Sequence, residues 1–252
     1  MPGLHTNRGA KRAREAREVL GLPADRAPAG LLEAVEASGG AHVVVLDLGE
    51  RVAGAHVVRP DCPLLFVNGR QPPARQRFTL AHELGHHRLG HATVVDRPQA
   101  FSDRRDPLEV EANAFAAELL IPRPAIERWA DEREPGPITL EDVVRIAAGY
   151  GVSAQMARYR LETTRVLGDR SRADRLDAEI AARDHVAVAE YLGLGAGDPI
   201  ATGPLPRIPA ALRSGPIGRL LAGELDADGL AAQTGVDPAA VRRMLSNLGL
   251  AA

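Results

Sequence analysis

The stretch Phe78-Thr79-Leu80-Ala81-His82-Glu83-Leu84-Gly85-His86 constrains this chain more than any other. Leu80, Ala81, Leu84 and Leu89 form an apolar face, so the segment reads as a helix set against a core. Residues four apart share one side of a helix, about 40° from eclipsed. His82 and His86 therefore offer two imidazoles to one metal ion. Glu83 lies about 100° round the helix from His82. A carboxylate there need not be a ligand and is free to act as a base.

This spacing, H-E-x-x-H, matches the zinc-hydrolase signature, with Glu83 as general base toward a metal-activated water. Such short patterns also arise by chance on exposed helices. Four of the chain's eight histidines, His82, His86, His87 and His91, nevertheless fall in this helix and at its end.

Catalytic zinc ordinarily keeps three protein ligands and one open position, so a third ligand is expected from a second helix. Asp106 caps that helix, Pro107 fits its first position, and Pro122 and Pro124 stop it. It carries Glu109, Glu111 and Glu118. The apolar face of Ala112, Phe115, Ala116, Leu119 and Leu120 centres about 50° from Glu109 and more than about 100° from the other two. Glu109 is expected to point inward, and Glu111 and Glu118 to meet water. Asp106-x-x-Glu109 also reads as a capping box, in which Glu109 only satisfies the helix N-terminus. His91 is a rival ligand, although it and Gly90 are out of register with H-E-x-x-H-x-x-G-x-x-H. Asn113, one turn after Glu109, can hold a ligand in place or be a plain buried polar residue.

Around these helices the chain reads as α+β. Helices are expected over Lys11 to Leu20 and over Leu31 to Ala37, the second ended by Gly39-Gly40. Strands are expected over His42 to Leu46, Ala53 to Val58 and Leu64 to Val67. Turns at Gly49 and at Arg59-Pro60-Asp61 make an antiparallel meander the simplest arrangement. The last strand is then a candidate edge for an extended substrate. Ala92 to Asp103 reads as a loop. Cys62 is the only cysteine, which excludes an intrachain disulfide and a thiolate zinc site and suits a reducing cytoplasm. Met1 to Gly21 is polar and basic, unlike a secretory signal. No apolar run approaches the ~18 residues of a membrane span. A cytoplasmic, membrane-free protein is expected.

Beyond Trp129 the pattern is helical. Leu140 to Gly149 and Ala154 to Thr163 flank Gly151-Val152-Ser153 with the small-residue spacing of a helix-turn-helix. The pattern recurs near the end: Ala147, Gly151, Arg158 and Leu161 align with Ala231, Gly235, Arg242 and Leu245. Arg158, Arg160, Arg165, Arg170, Arg172 and Arg175 make a locally basic run, compatible with DNA. Glu162, Asp169 and Asp174 dilute it. The net charge of -2 favours a protein-docking surface over a nucleic-acid one. Arg170 to Arg183 reads as a linking helix, and Gly193 to Pro199 as a hinge.

Arg77 to His86, followed by Glu109-x-Glu-Ala-Asn113-x-Phe-Ala-Ala-Glu-Leu-Leu-Ile-Pro122, resembles the ImmA/IrrE metallopeptidases. The resemblance spans roughly Ala53 to Pro122, with Ile121 where methionine is usual. It implies a small gluzincin-like core: a short antiparallel sheet, the H-E-x-x-H helix and a glutamate helix. His82, His86 and Glu109 would bind Zn2+, and Glu83 would be the base. It further implies cleavage of a helix-turn-helix transcriptional repressor under stress, phage or mobile-element control. The tail does not resemble the GAF-like sensor of the IrrE branch. Residues 1–125 are then expected to form the metallopeptidase domain, 126–165 a helix-turn-helix-like segment, and 166–252 a helical C-terminal domain with the second such unit. The alternative is a DNA-binding transcription regulator with a structural or regulatory zinc site.

Overall fold

The computed structural model describes residues 2–38, 40–59, 62–98, 105–195, 197, 200–201 and 204–250. Gly39, Pro60, Asp61, residues 99–103 of the expected loop, and Ala196, Asp198 and Pro199 of the expected hinge lie outside them. Helices α1 (Pro2–Val19) and α2 (Leu31–Ala37) precede strands β1 (His42–Leu46), β2 (Gly54–Val57) and β3 (Leu64–Asn68). Helix α3 (Pro73–Leu89), strand β4 (Val94–Asp96) and helix α4 (Pro107–Leu120) follow. The rest is helical: α5 (Arg123–Glu132), α6 (Leu140–Tyr150), α7 (Ala154–Thr163), α8 (Arg170–Ala181), α9 (Asp184–Tyr191), α10 (Ala210–Arg213), α11 (Pro216–Leu221), α12 (Ala227–Thr234) and α13 (Pro238–Asn247). The architecture is α+β, as expected.

The sheet differs from the expected meander. Its order is β1-β3-β2-β4. β1 and β3 pair in parallel, and β2 pairs antiparallel with β3 and with β4. β3 is therefore an interior strand, and Leu64 to Val67 is not an edge open to substrate. Period-two alternation specifies the face each residue takes but not which neighbour a strand finds. The loop expected from Ala92 holds β4 instead, built on the β-branched run Thr93-Val94-Val95.

Alternation gives the sheet two apolar faces. Val43, Val45, Leu65 and Val67 join α1, α3, α4 and α6–α8 in the larger core. Val44, Leu46, Leu64 and Phe66 meet Ile208, Leu212 and Leu248 of the C-terminal segment. That segment is tied down by a bridge between Val45 and Arg207, whose guanidinium clasps the Glu36 carboxylate at 2.6 Å through both terminal nitrogens.

Helix α1 is longer than expected and lies along α4, burying Ala13, Ala16 and Arg17. This packing overturns the expectation for Glu111 and Glu118, which are both buried. Glu118 pairs with Arg160 of α7 and, at 3.5 Å, with Arg14 of α1. A second helix covering the supposed solvent face of α4 is invisible to a single-helix projection.

The two helix-turn-helix-like units both form: α6 and α7 turn at Gly151 (φ 63°), α12 and α13 at Gly235 (φ 70°). Only a glycine takes these left-handed turns without a steric cost. Half of the basic run is engaged within the protein, while Arg165, Arg170 and Arg175 are exposed. Arg158 pairs with Glu162 and Asp177, Arg160 with Glu118 and the Ile121 carbonyl, and Arg172 with the Ile138 carbonyl. Among the described residues, no helix is long and apolar enough to cross a membrane.

Candidate metal centre

Helix α3 starts on Pro72-Pro73, where the missing N–H costs nothing, and ends at Gly90 in the left-handed conformation (φ 75°). Thr79, Leu80, His82, Glu83, Leu84 and His86 are all buried along it. Helix α4 starts at Asp106, whose carboxylate accepts from the Leu108 N–H at 2.9 Å. The alternative capping box does not form, because the Glu109 side chain is directed to the histidines of α3.

His82 Nε2 and His86 Nε2 stand 3.0 Å apart. Glu109 reaches both, with Oε2 at 3.2 Å from His82 Nε2 and Oε1 at 3.4 Å from His86 Nε2. A fourth group, absent from the sequence-based set, completes the cluster. Asp96 Oδ2 lies 3.2 Å from His82 Nε2 and 3.5 Å from His86 Nε2. All four side chains are buried and their donor atoms lie within 4.8 Å of one another.

The donor set fits a divalent ion. Tetrahedral ligands about 2.0–2.2 Å from zinc stand roughly 3.3–3.6 Å from each other, close to the observed separations. Asp96 Oδ2 and Glu109 Oε2 are buried and make no hydrogen bond despite their proximity to imidazole nitrogens. Buried carboxylate oxygens are not normally left so. Lone pairs converging on a common point account for both observations.

Glu83 stands beside this cluster. Both its carboxylate oxygens are buried without a hydrogen-bond partner. Burial, and then the nearby Asp96 and Glu109 carboxylates, raise its pKa well above the usual carboxylate range. It rests against Gly54 of β2. A Cβ at that position would meet Glu83 Oε1 at 2.5 Å and Thr79 Cγ2 at 2.5 Å. The absence of a side chain at Gly54 makes room for the glutamate.

Residues 37–162, half of the chain, match the family model of the IrrE N-terminal-like domain. The chain belongs to this family. It is 32% identical over 111 residues to the radiation response metalloprotease IrrE of Deinococcus radiodurans, a match covering 40% of this chain and 31% of IrrE. It is 29% identical over 122 residues to the uncharacterized immunity region protein 2 of Bacillus phage phi105, covering 47% of this chain and 72% of that protein. The aligned segment thus spans about a third of the length of IrrE.

In this IrrE-like domain the surroundings of His86 are also defined. Burial, with His82, His91 and His56 nearby, pushes its pKa down to about 2, which keeps the imidazole neutral. Its Nδ1 lies 2.8 Å from His91 Nδ1, and His91 Nε2 lies 3.2 Å from Glu111 Oε2. A nitrogen facing a metal must be the unprotonated one. Then His86 Nδ1–H donates to His91, and His91 Nε2–H donates to Glu111. His5 and Arg8 of α1 hold Glu111 from its other side. His91, the rival ligand of the sequence, is thus one step removed from the cluster. The turn at Gly90 brings it back onto His86. His82 is pulled both ways: burial disfavours its charged form, but the Asp96 and Glu109 carboxylates outweigh this and raise its pKa.

Asn113 is half-buried one turn after Glu109, and its Oδ1 is buried without a hydrogen-bond partner. Cys62 is partly buried and is not among the cluster's residues. The missed residue, Asp96, had one local signal: three β-branched residues followed by an acid, between the end of a helix and Pro98.

Proposed function

We propose that this chain is a zinc-dependent endopeptidase that cleaves a helix-turn-helix transcriptional repressor in a stress, phage or mobile-element response. The observation that carries the reading is the convergence of His82, His86 and Glu109 from two helices beside an unliganded, buried carboxylate, Glu83. A purely structural metal site has no use for such a base. The match to a radiation response metalloprotease and to a phage immunity region protein supports a protein substrate and a regulatory setting.

His82, His86 and Glu109 would hold the ion, with Asn113 close to Glu109 along α4. When bound, zinc polarises a peptide carbonyl and makes water a better nucleophile near neutral pH. Glu83 is placed to take a proton from the attacking water and deliver it to the leaving amine nitrogen as the C–N bond breaks. Its raised pKa makes it a stronger base toward that water than an ordinary carboxylate. Gly54 and Thr79 fix its position. The helical pairs α6–α7 and α12–α13 would serve as recognition modules for protein, a reading supported by the net charge of -2 and by the pairing of Arg158 and Arg160 within the protein.

The test uses the purified full chain and a small helix-turn-helix repressor encoded beside its gene. Wild type should contain zinc by elemental analysis and cut the repressor once or a few times by mass spectrometry. Glu83→Gln should keep zinc and lose cleavage, whereas His82→Ala should lose both. Cleavage that survives Glu83→Gln would sink the reading.

A further inference from the structure

We propose that Asp96 is a fourth protein ligand that closes the metal centre in the resting protein, and that it must leave before an outside ligand can reach the ion. This rests on the reading above that the cluster holds a divalent ion.

A catalytic zinc site keeps one position open, and a structural one fills all four with protein. Here the filling group is present. Asp96 Oδ2 stands at 3.2 and 3.5 Å from the two imidazole nitrogens, the same spacing that Glu109 takes at 3.2 and 3.4 Å. Like Glu109 Oε2, it is buried and makes no hydrogen bond. The two carboxylates therefore occupy equivalent corners of one donor set, and nothing in the distances marks Asp96 as a bystander. With Asp96 in place, four side chains surround the ion position.

The four donors differ in how firmly they are held. His82 and His86 lie on a buried 17-residue helix, and Glu109 lies on a 14-residue helix packed against it. Asp96 ends a three-residue strand at the edge of the sheet, paired only to β2. Its register is Gly54↔Asp96, Ala55↔Val95 and His56↔Val94. Beyond that ladder the Asp96 carbonyl accepts from the Ala53 N–H at 2.7 Å. Moving such a strand end breaks few interactions, whereas moving either helix disrupts the core. The departure of Asp96 would open a coordination position beside Glu83.

The full-length protein loaded with Co2+ gives the test, because cobalt reports its ligands in the visible spectrum without any turnover. Azide is the probe for an open position. Wild type should keep its spectrum at azide concentrations that shift the Asp96→Ala spectrum fully, with at least a tenfold difference in apparent azide affinity. Asp96→Asn, of the same shape but a poorer ligand, should fall with Asp96→Ala, and it reads the result if the alanine variant does not fold. Equal azide affinity in wild type and variants, with cobalt bound in each and lost in His82→Ala, overturns this inference and leaves the zinc reading intact. A wild type that takes up no cobalt overturns both.

Discussion

Glu83 is seated on Gly54. A methyl group at residue 54 would stand 2.5 Å from Glu83 Oε1, with the Phe66 carbonyl 2.8 Å away on its other side. β2 and α3 are thereby brought close enough for the Glu83 carboxylate to sit beside the cluster.

Gly54→Ala should displace the Glu83 carboxylate while leaving His82, His86 and Glu109 in place. A misplacement of this size costs on the order of 100-fold in turnover. Cleavage kinetics should show the loss in kcat, and elemental analysis should show zinc content unchanged. A variant with full activity would mean that Glu83 is not held by this contact.

His91→Ala should weaken zinc binding by about 10–100-fold, the usual effect of removing a group that orients a liganding histidine. Competition with a chromogenic chelator measures it. The melting temperature of the metal-free protein should change much less, because His91 touches only His86 and Glu111 among the polar groups described here. An affinity equal to that of wild type would sever His91 from the metal centre.

Acid should loosen the clasp between α1 and α4. Burial works against ionised Glu111, but His5, His91 and Arg8 outweigh it and hold its pKa below the usual carboxylate range. Its contribution is therefore fully present above the unfolded value of about 4.3 and is lost as pH falls through the lower, folded value. Glu111→Gln should flatten that part of the stability–pH curve, measured by urea unfolding of metal-free protein. An unchanged acid limb would mean that Glu111 does not drive it.

Arg160→Ala removes the buried ion-pair partner of Glu118 and leaves the more distant, exposed Arg14. Breaking a buried pair from one side costs about 3 kcal/mol. Arg14→Ala, on the exposed side, should cost under about 1 kcal/mol. Chemical denaturation of the two variants separates them, and equal costs would show that the Arg160 pair is no more buried in effect than a surface one.

Much of this molecule is readable one element at a time. The spacing of His82 and His86 places two imidazoles on one side of a helix whatever surrounds it. The apolar face of α4 puts Glu109 on the side that meets α3, where it reaches both histidines. The β-branched run from His42 to Leu46 reads as a strand from its composition alone. Proline, aspartate and glycine mark ends of α3 and α4, and glycine the end of α6, because capping and left-handed turns depend on residues a few positions apart.

What needed the folded chain is whatever depends on partners far away in sequence. A residue's side of an element follows from local periodicity, but the group it meets there follows from how elements pack. Glu111 and Glu118 were expected in water and are buried, because α1 lies over them. The parallel pairing of β1 with β3 could not be read from the chain, because hydrophobic patterning carries no information about strand order. Asp96 enters the metal cluster only through its pairing with Gly54 across β2, a register that no short stretch of sequence encodes.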